Sequence, residues 1–206
     1  MEDVMARPLS ESLPLRRRRI LDAAGAALIK QGYHSVRLEE IATRAGISKG
    51  ALYLYFKDKE DLFAGVLRDL VDQLEERLND VPKTGSSLST LTLLASVLLD
   101  FVDTHQDFLT QFTREKPDLC GKKAGKILQE RFGGVLDQVA RLLRVSVKEG
   151  KLGNIDTSLG SIFFLSLVRM FLLRKIVTKS RTPLRHNAEE LMDLLLHGLG
   201  KKGRST

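Results

Sequence analysis

Apolar residues recur three and four positions apart along most of this chain, which is the spacing of one face of an α-helix. Short breaks at Gly, Pro, Ser or Asn separate these stretches, and the strict apolar–polar alternation typical of strands is hard to find. The 206 residues, of which 43% are hydrophobic, suffice for one domain or two small ones. The sequence therefore predicts an all-α fold.

The breaks divide the chain into two predicted domains. Helices are predicted over residues 17–31, with Gly32 as the stop, over 38–45 and 49–55, and from Asp58 to a point before Pro82. A connector over 81–87 follows, because its Pro, Gly and two Ser do not readily continue a helix. Further helical stretches lie near 88–104, 105–114, 122–149, 156–179 and 186–199. We predict a helix-turn-helix domain over 14–74 and a helical domain over 84–200.

The charge balance favours an anionic partner. Lys and Arg number 33 against 26 Asp and Glu, which gives a net charge of +7 and a pI near 9.6. Residues 1–57 carry ten basic and six acidic side chains, so much of the excess lies in the first quarter of the chain.

A cytoplasmic protein without membrane contact is expected. The single cysteine, Cys120, cannot form an internal disulfide, and the first residues lack the uninterrupted apolar segment of a secretory signal. The longest apolar run, residues 162–168, is too short to span a bilayer. The four histidines stand far apart in the sequence, so neither a metal site nor a cofactor is predicted.

Residues 37–56 contain the most informative pattern, which is two short helices joined by a tight turn. Gly46 permits the positive φ that such a turn requires, and Ser48 is a good N-cap for the second helix. Ala42 is small enough for the helices to approach closely, and Leu52 fills the angle between them. This pattern predicts a helix-turn-helix motif.

The second helix of this motif has a start that suits the major groove of DNA. In that position its N-terminal residues face the base edges, and Lys49 is the natural base reader. Gly50 and Ala51 carry little bulk, so the backbone can approach the bases and Ala51 could touch a thymine methyl group.

Other side chains of this region suit phosphate oxygens. Tyr53, Tyr55 and Lys59 offer hydroxyl and ammonium groups that position a protein on the DNA backbone without reading its sequence. A run of four arginines precedes the motif, and two of them, Arg18 and Arg19, are further phosphate candidates.

The segments IA (41–42), AGISKG (45–50), LYLYF (52–56) and KDKEDLF (57–63) resemble the TetR family of transcriptional regulators. The resemblance covers about a quarter of the chain. It implies a three-helix DNA-binding head, a linking fourth helix, an all-helical body, and a homodimer on a palindromic operator whose binding a small molecule weakens. Carried onto matching positions, it implies DNA contacts from Arg37, Thr43 or Arg44, Ser48, Lys49, Gly50, Ala51, Tyr53, Tyr55 and Lys59.

Phenylalanines supply most of the aromatic surface of the second domain, and they suit either an ordinary core or an apolar cavity between helices. Both interpretations stay open. A cavity would take a small hydrophobic or amphipathic effector. Its candidate lining residues are Phe101, Phe108, Gln111, Phe112, Phe132, Phe163, Ser166 and Arg169.

Two helical stretches, 159–176 and 191–199, are apolar around most of their circumference. A helix of this kind must be buried on both sides. In a domain this small one side can be covered by a second subunit, so we expect these helices to form a four-helix dimer interface. The candidate interface residues are Leu159, Phe163, Leu167, Met170, Leu191 and Leu195.

Together these features predict a sequence-specific DNA-binding transcriptional regulator, expected to be a repressor released from its operator by a small hydrophobic ligand. The sequence shows no paired carboxylates, nucleophile elbow, metal cluster or phosphate loop, so an enzyme is not predicted. The alternative is a basic helical protein that binds DNA of any sequence, or a membrane surface, through charge alone.

Overall fold

The structure, a computed structural model, describes residues 12–82, 85–114 and 122–199. Over this part of the chain the regular elements are helical, as predicted. They are α1 (Leu13–Ser35), α2 (Leu38–Arg44), α3 (Lys49–Tyr53), α4 (Lys59–Asn79), α5 (Ser87–Thr104), α6 (Gln106–Arg114), α7 (Lys122–Lys148), α8 (Thr157–Thr178), a 3-10 helix (Leu184–Asn187) and α9 (Ala188–Leu199).

The chain divides into two compact units. The first takes in the described residues of Met1–Asp69 and Gln111–Gly125, and the second those of Leu70–Thr110 and Lys126–Thr206. The division therefore runs within α4, α6 and α7. The predicted domains 14–74 and 84–200 remain a proposal.

Local signals set the limits of α1. The helix begins at Leu13, earlier than predicted, because Pro14 lies in the first turn, where a missing backbone N–H breaks no helical hydrogen bond. Gly32 interrupts it with a φ of 77°, so the predicted stop is confirmed, and one further turn follows. Ile20, Ala24 and other buried residues form the face of α1 that packs in the first unit.

The motif of two short helices forms as the sequence predicts, except at its end. Gly46 has a φ of 64°, and Ser48 caps α3 by accepting a hydrogen bond from the backbone N–H of Ala51 at 3.1 Å. The prediction that α3 extends to Tyr55 was wrong by two residues. The N–H of Tyr55 bonds to the carbonyl of Leu52, three residues back, so the chain leaves the helix in a tighter turn.

A reciprocal cap starts α4. The Asp58 side chain accepts from the N–H of Asp61 at 2.6 Å, while the Asp61 side chain accepts from the N–H of Lys57 at 3.1 Å. One turn further on, Gly65 lies where a Cβ would come within 2.9 Å of the Phe56 ring. The absence of a side chain at Gly65 therefore lets Phe56, which is buried, pack directly against α4.

The second unit is built around α5, which contacts α8, α9 and the 3-10 helix. By length and composition alone α5 could cross a membrane, the one described helix of which this is true. Its residues Leu91, Leu94 and Leu99 are fully buried, which is the pattern of a core helix. Hydroxyl groups join its start to α7, since Ser146 donates to Ser87 Oγ at 2.7 Å and Ser87 donates to Glu149 at 2.7 Å.

Candidate DNA-binding surface

Buried apolar packing on one side of α3 leaves the start of the helix exposed to solvent. Leu52, one turn into the helix, is almost fully buried together with Ile41 and Ala42 of α2. Ser48, Lys49 and Gly50, by contrast, are exposed. Burying a leucine or isoleucine side chain stabilises a fold by about 1.5–3 kcal/mol, so this packing fixes the orientation of α3.

Lys49 forms an ion pair with Glu39 of α2 across this surface. About half of each side chain is exposed, 51% for the lysine and 58% for the glutamate. The hydrogen bond from Lys49 lowers the pKa of Glu39, and nearby Arg37 lowers that pKa further. The same bond raises the pKa of Lys49, with a smaller contribution from Tyr53, so both partners are charged at neutral pH.

The other predicted residues of α3 differ in exposure. Gly50 is exposed, and a Cβ built there would come no nearer than 3.9 Å to another atom. Another molecule can therefore come close to the backbone at this position. Tyr53 keeps 46% of its surface exposed, whereas Ala51 and Tyr55 are half-buried. The structure thus brings Lys49, Gly50 and Tyr53 together on the open side of the motif.

Helix α2 contributes three further predicted residues, all exposed. Arg37 precedes the first turn of α2 and Arg44 ends the helix. The Thr43 hydroxyl donates to the backbone carbonyl of Glu39 at 2.9 Å, so its oxygen is left as an acceptor.

Two predicted phosphate ligands already have partners inside the protein. Arg18 pairs with Asp22 at 3.2 Å and with Asp69 at 3.1 Å. Lys59 donates to the backbone carbonyls of His34 at 3.2 Å and Val36 at 2.7 Å. Arg19 is exposed on α1. Arg18 and Lys59 therefore have structural contacts that the sequence alone did not indicate.

Sequence reasoning did not select Glu39. In the sequence Glu39 is one of two ordinary acidic residues in the first turn of a helix, where the helix dipole stabilises a negative charge. Its pairing with Lys49, ten residues along the chain, depends on the angle between α2 and α3. That angle becomes visible only in the folded structure.

The chain is similar in sequence to known proteins. Residues 20–66 match the family described as bacterial regulatory proteins of the tetR family. The fatty acid metabolism regulator protein of Bacillus subtilis is 24% identical over 188 residues, which are 89% of this chain and 95% of that protein. The transcriptional regulator RutR of Escherichia coli is 29% identical over 151 residues, 71% of this chain and 69% of RutR.

A solved structure extends the likeness over nearly the whole fold. The crystal structure of FadR from Bacillus subtilis in complex with stearoyl-CoA superposes with a TM-score of 0.76 at 22% identity, covering 88% of this chain and 98% of that one. By its helix-turn-helix domain, residues 20–66, the chain belongs to the TetR family of transcriptional regulators. It is a DNA-binding regulator and not an enzyme, so the family resemblance and the predicted function class are confirmed.

The predicted effector-binding residues whose side chains the structure describes differ in exposure. Phe101 and Phe108 are buried in the second unit. Phe163, Ser166 and Arg169 are exposed on α8 in the single chain. Gln111 is half-buried and is grouped with the first unit. The side chains of Phe112 and Phe132 lie outside the described residues, as does Cys120.

The second unit also has an open groove of about 430 Å³ beside α5. Arg77, Asp100 and Arg185 form ion pairs along it, and Leu93 and Val97 contribute apolar surface. Among the predicted effector-binding residues whose side chains the structure describes, none lines this groove.

His105 follows α5 and lies against Phe101, with 4.5 Å between the ring centroids. Its Nε2 atom is buried, and among the described residues it has no hydrogen-bond partner. Burial lowers the pKa of His105, and the charge of Arg77 lowers it further. The folded protein therefore favours the neutral imidazole.

The predicted dimer residues divide into two groups. Leu167, Leu191 and Leu195 are buried in the core of the chain itself. Leu159 and Met170 are largely exposed, at 63% and 48%, and Phe163 at 38%. Helix α8 is thus apolar on two sides, one packed in the core and one open to solvent.

Proposed function

We propose that this TetR-family protein is a cytoplasmic repressor that binds a palindromic operator as a homodimer and is released by a hydrophobic ligand. The observation that carries the proposal is the exposed start of α3, where Lys49, Gly50 and Tyr53 share one open side. An ammonium group at this position can donate to O6 and N7 of guanine, and a glycine beside it lets the backbone come close. The tyrosine hydroxyl can hold a phosphate.

The DNA-reading role of Lys49 is tested with Lys49→Ala and the matched variant Lys30→Ala. Lys30 is an exposed lysine of α1 for which the described residues offer no ion pair or hydrogen bond. Each variant is titrated with a selected operator and with duplexes altered at single base pairs. Lys49→Ala should lose about 5- to 150-fold in discrimination at one base pair of each half-site. Lys30→Ala should keep the wild-type ratios, and equal ratios for both variants would contradict the role.

The homodimer is supported by the exposed side of α8. The residues along this side are spaced alternately four and three positions apart, which is the spacing of the contact seam between two long packed helices. They are Leu159, Phe163, Ser166, Met170, Leu173 and Val177, and all are exposed in the single chain. The seam is mostly apolar, so a second copy packed by a dyad axis would remove this surface from water.

Sedimentation equilibrium tests this interface with Met170→Arg. An arginine in the middle of the seam should shift the protein from dimer to monomer, because two like charges would face each other near the dyad. Val145→Arg is the control, since Val145 is an equally exposed apolar residue on α7, outside the seam. If both variants form dimers as stable as those of the wild type, α8 is not part of the dimer interface.

The ligand class we propose is a long-chain acyl-CoA. Support comes from the relative that regulates fatty acid metabolism, aligned over 95% of its length, and from the FadR structure, which holds stearoyl-CoA. The test adds stearoyl-CoA, free CoA or stearate to the protein–operator complex. Release by stearoyl-CoA at a concentration at which the other two are inactive supports the proposal. Equal release by stearate, or no release, contradicts it.

A further inference from the structure

Glu39 places a negative charge on the surface that would face a polyanion. Its carboxylate is more than half exposed, whereas the neighbouring Glu40 turns inward and accepts from Gln31 Nε2 at 2.6 Å. Either acid in this first turn favours the helix dipole, so stability of α2 does not require that Glu39 lie on the open side. A carboxylate there repels the DNA phosphates, so it weakens binding unless a favourable contact with another DNA group compensates for the repulsion.

The major groove offers a group that suits a carboxylate. Cytosine presents an N4 amino group, which glutamate or aspartate accepts from, while the paired guanine presents the acceptors O6 and N7. In the base pair, cytosine N4 and guanine O6 are themselves joined by a hydrogen bond, about 2.9 Å apart. The Glu39 carboxylate and the Lys49 ammonium are likewise joined by a hydrogen bond. The two side chains therefore present an acceptor and a donor side by side, as the complement of the two base atoms.

We propose that Glu39 is a specificity-determining residue that reads a cytosine, with Lys49 donating to the guanine of the same base pair. The ammonium has three donor hydrogens, so it can keep its bond to the carboxylate while it donates to guanine. Arg37 lies close enough to lower the pKa of Glu39, and its charge offsets repulsion between this carboxylate and the DNA backbone. The inference rests on the proposed DNA-binding surface and adds to it the identity of one base pair.

The experiment selects duplexes from a random pool with the wild-type protein, with Glu39→Gln and with Glu76→Gln. Glutamine has the shape of glutamate and both positions are exposed, so each variant loses the same charge. Glu76 is an acid of α4 in the second unit, away from the motif in the sequence. The preferred duplexes are then compared in competition titrations at one salt concentration.

The expected wild-type operator has a G·C pair at one fixed position of each half-site. Glu39→Gln should lose about 5- to 150-fold in preference for that pair. Its preference should shift toward adenine, because the glutamine amide can donate to adenine N7 and accept from adenine N6. Preferences at other positions should stay unchanged, and so should all preferences of Glu76→Gln. High affinity of Glu39→Gln for the adenine-containing duplex would also show that the variant is folded.

Two results would overturn the inference in different ways. If Glu39→Gln recovers the wild-type motif and binds every duplex more tightly by one factor, Glu39 only repels phosphate and reads no base. If the wild-type protein itself recovers no motif, the proposed sequence-specific function fails, and the inference fails with it.

Discussion

Replacing Lys59 by glutamine removes an ammonium group that the fold uses at the end of α1. Its Nζ atom donates to the carbonyl oxygens of His34 and Val36, at 3.2 and 2.7 Å. It also lies 4.9 Å from the centroid of the Tyr33 ring. These contacts tie the start of α4 to the segment between α1 and α2, so Lys59→Gln should lower the free energy of unfolding.

The size of the loss follows from these three contacts. A hydrogen bond to a charged group contributes about 1.5–3 kcal/mol, and an exposed cation–π contact about 0.5–1 kcal/mol. The bond to His34 is exposed and counts for little, and the bond to Val36 is only partly buried. We therefore expect a loss of about 2 kcal/mol, or roughly 4–8 °C in Tm for a chain of this length.

Thermal and urea unfolding of Lys59→Gln and Lys30→Gln would measure this loss. Both variants lose one lysine charge, but Lys30 is exposed and makes no such contacts among the described residues. Lys30→Gln should unfold within about 0.5 kcal/mol of the wild type, as surface substitutions usually do. Equal stability of the two variants would refute the structural role and leave Lys59 as a phosphate ligand only.

Two further predictions concern packing and protonation. Gly25→Ala should stabilise the protein by about 0.5–1 kcal/mol through helix propensity, because its Cβ would meet its nearest neighbour at an ordinary 3.7 Å. Gly65→Ala should instead destabilise it by about 1 kcal/mol, because overpacking against Phe56 at 2.9 Å outweighs that gain, and urea midpoints moving the same way would contradict this. The pKa of His105 lies below its ordinary value of 6.5 in the folded state, so the unfolded chain binds more protons and stability should fall as the pH drops below about 6.5. His105→Gln should weaken this pH dependence, and an unchanged slope in the variant would refute the assignment.

The features that the sequence predicted well are local ones. The stop at Gly32, the turn at Gly46 and the cap at Ser48 each depend on one residue and its near neighbours. A positive φ favours glycine, and a cap favours a short polar side chain, so both can be predicted without the rest of the fold.

Contacts between distant residues were not predictable in this way. Lys59 has the residue type of a phosphate ligand, and nothing in the sequence indicates that Val36 would accept its hydrogen bond. The pairing of Glu39 with Lys49 likewise depends on the crossing of two helices. For α8, the sequence predicted that both sides are apolar, but it could not tell that Leu167 faces the core and Met170 faces solvent, since no polar side marks the difference.

The central claim is that the protein binds DNA as a dimer and that the exposed side of α3 in each protomer recognises a specific base sequence. Selection from random duplexes by the wild-type protein at near-physiological salt tests it most directly. The account predicts an enriched inverted repeat, because a dyad-related dimer places the same helix in each half-site. Enrichment of no motif, with binding that disappears on modest addition of salt, would contradict the claim and leave only attraction to the DNA backbone.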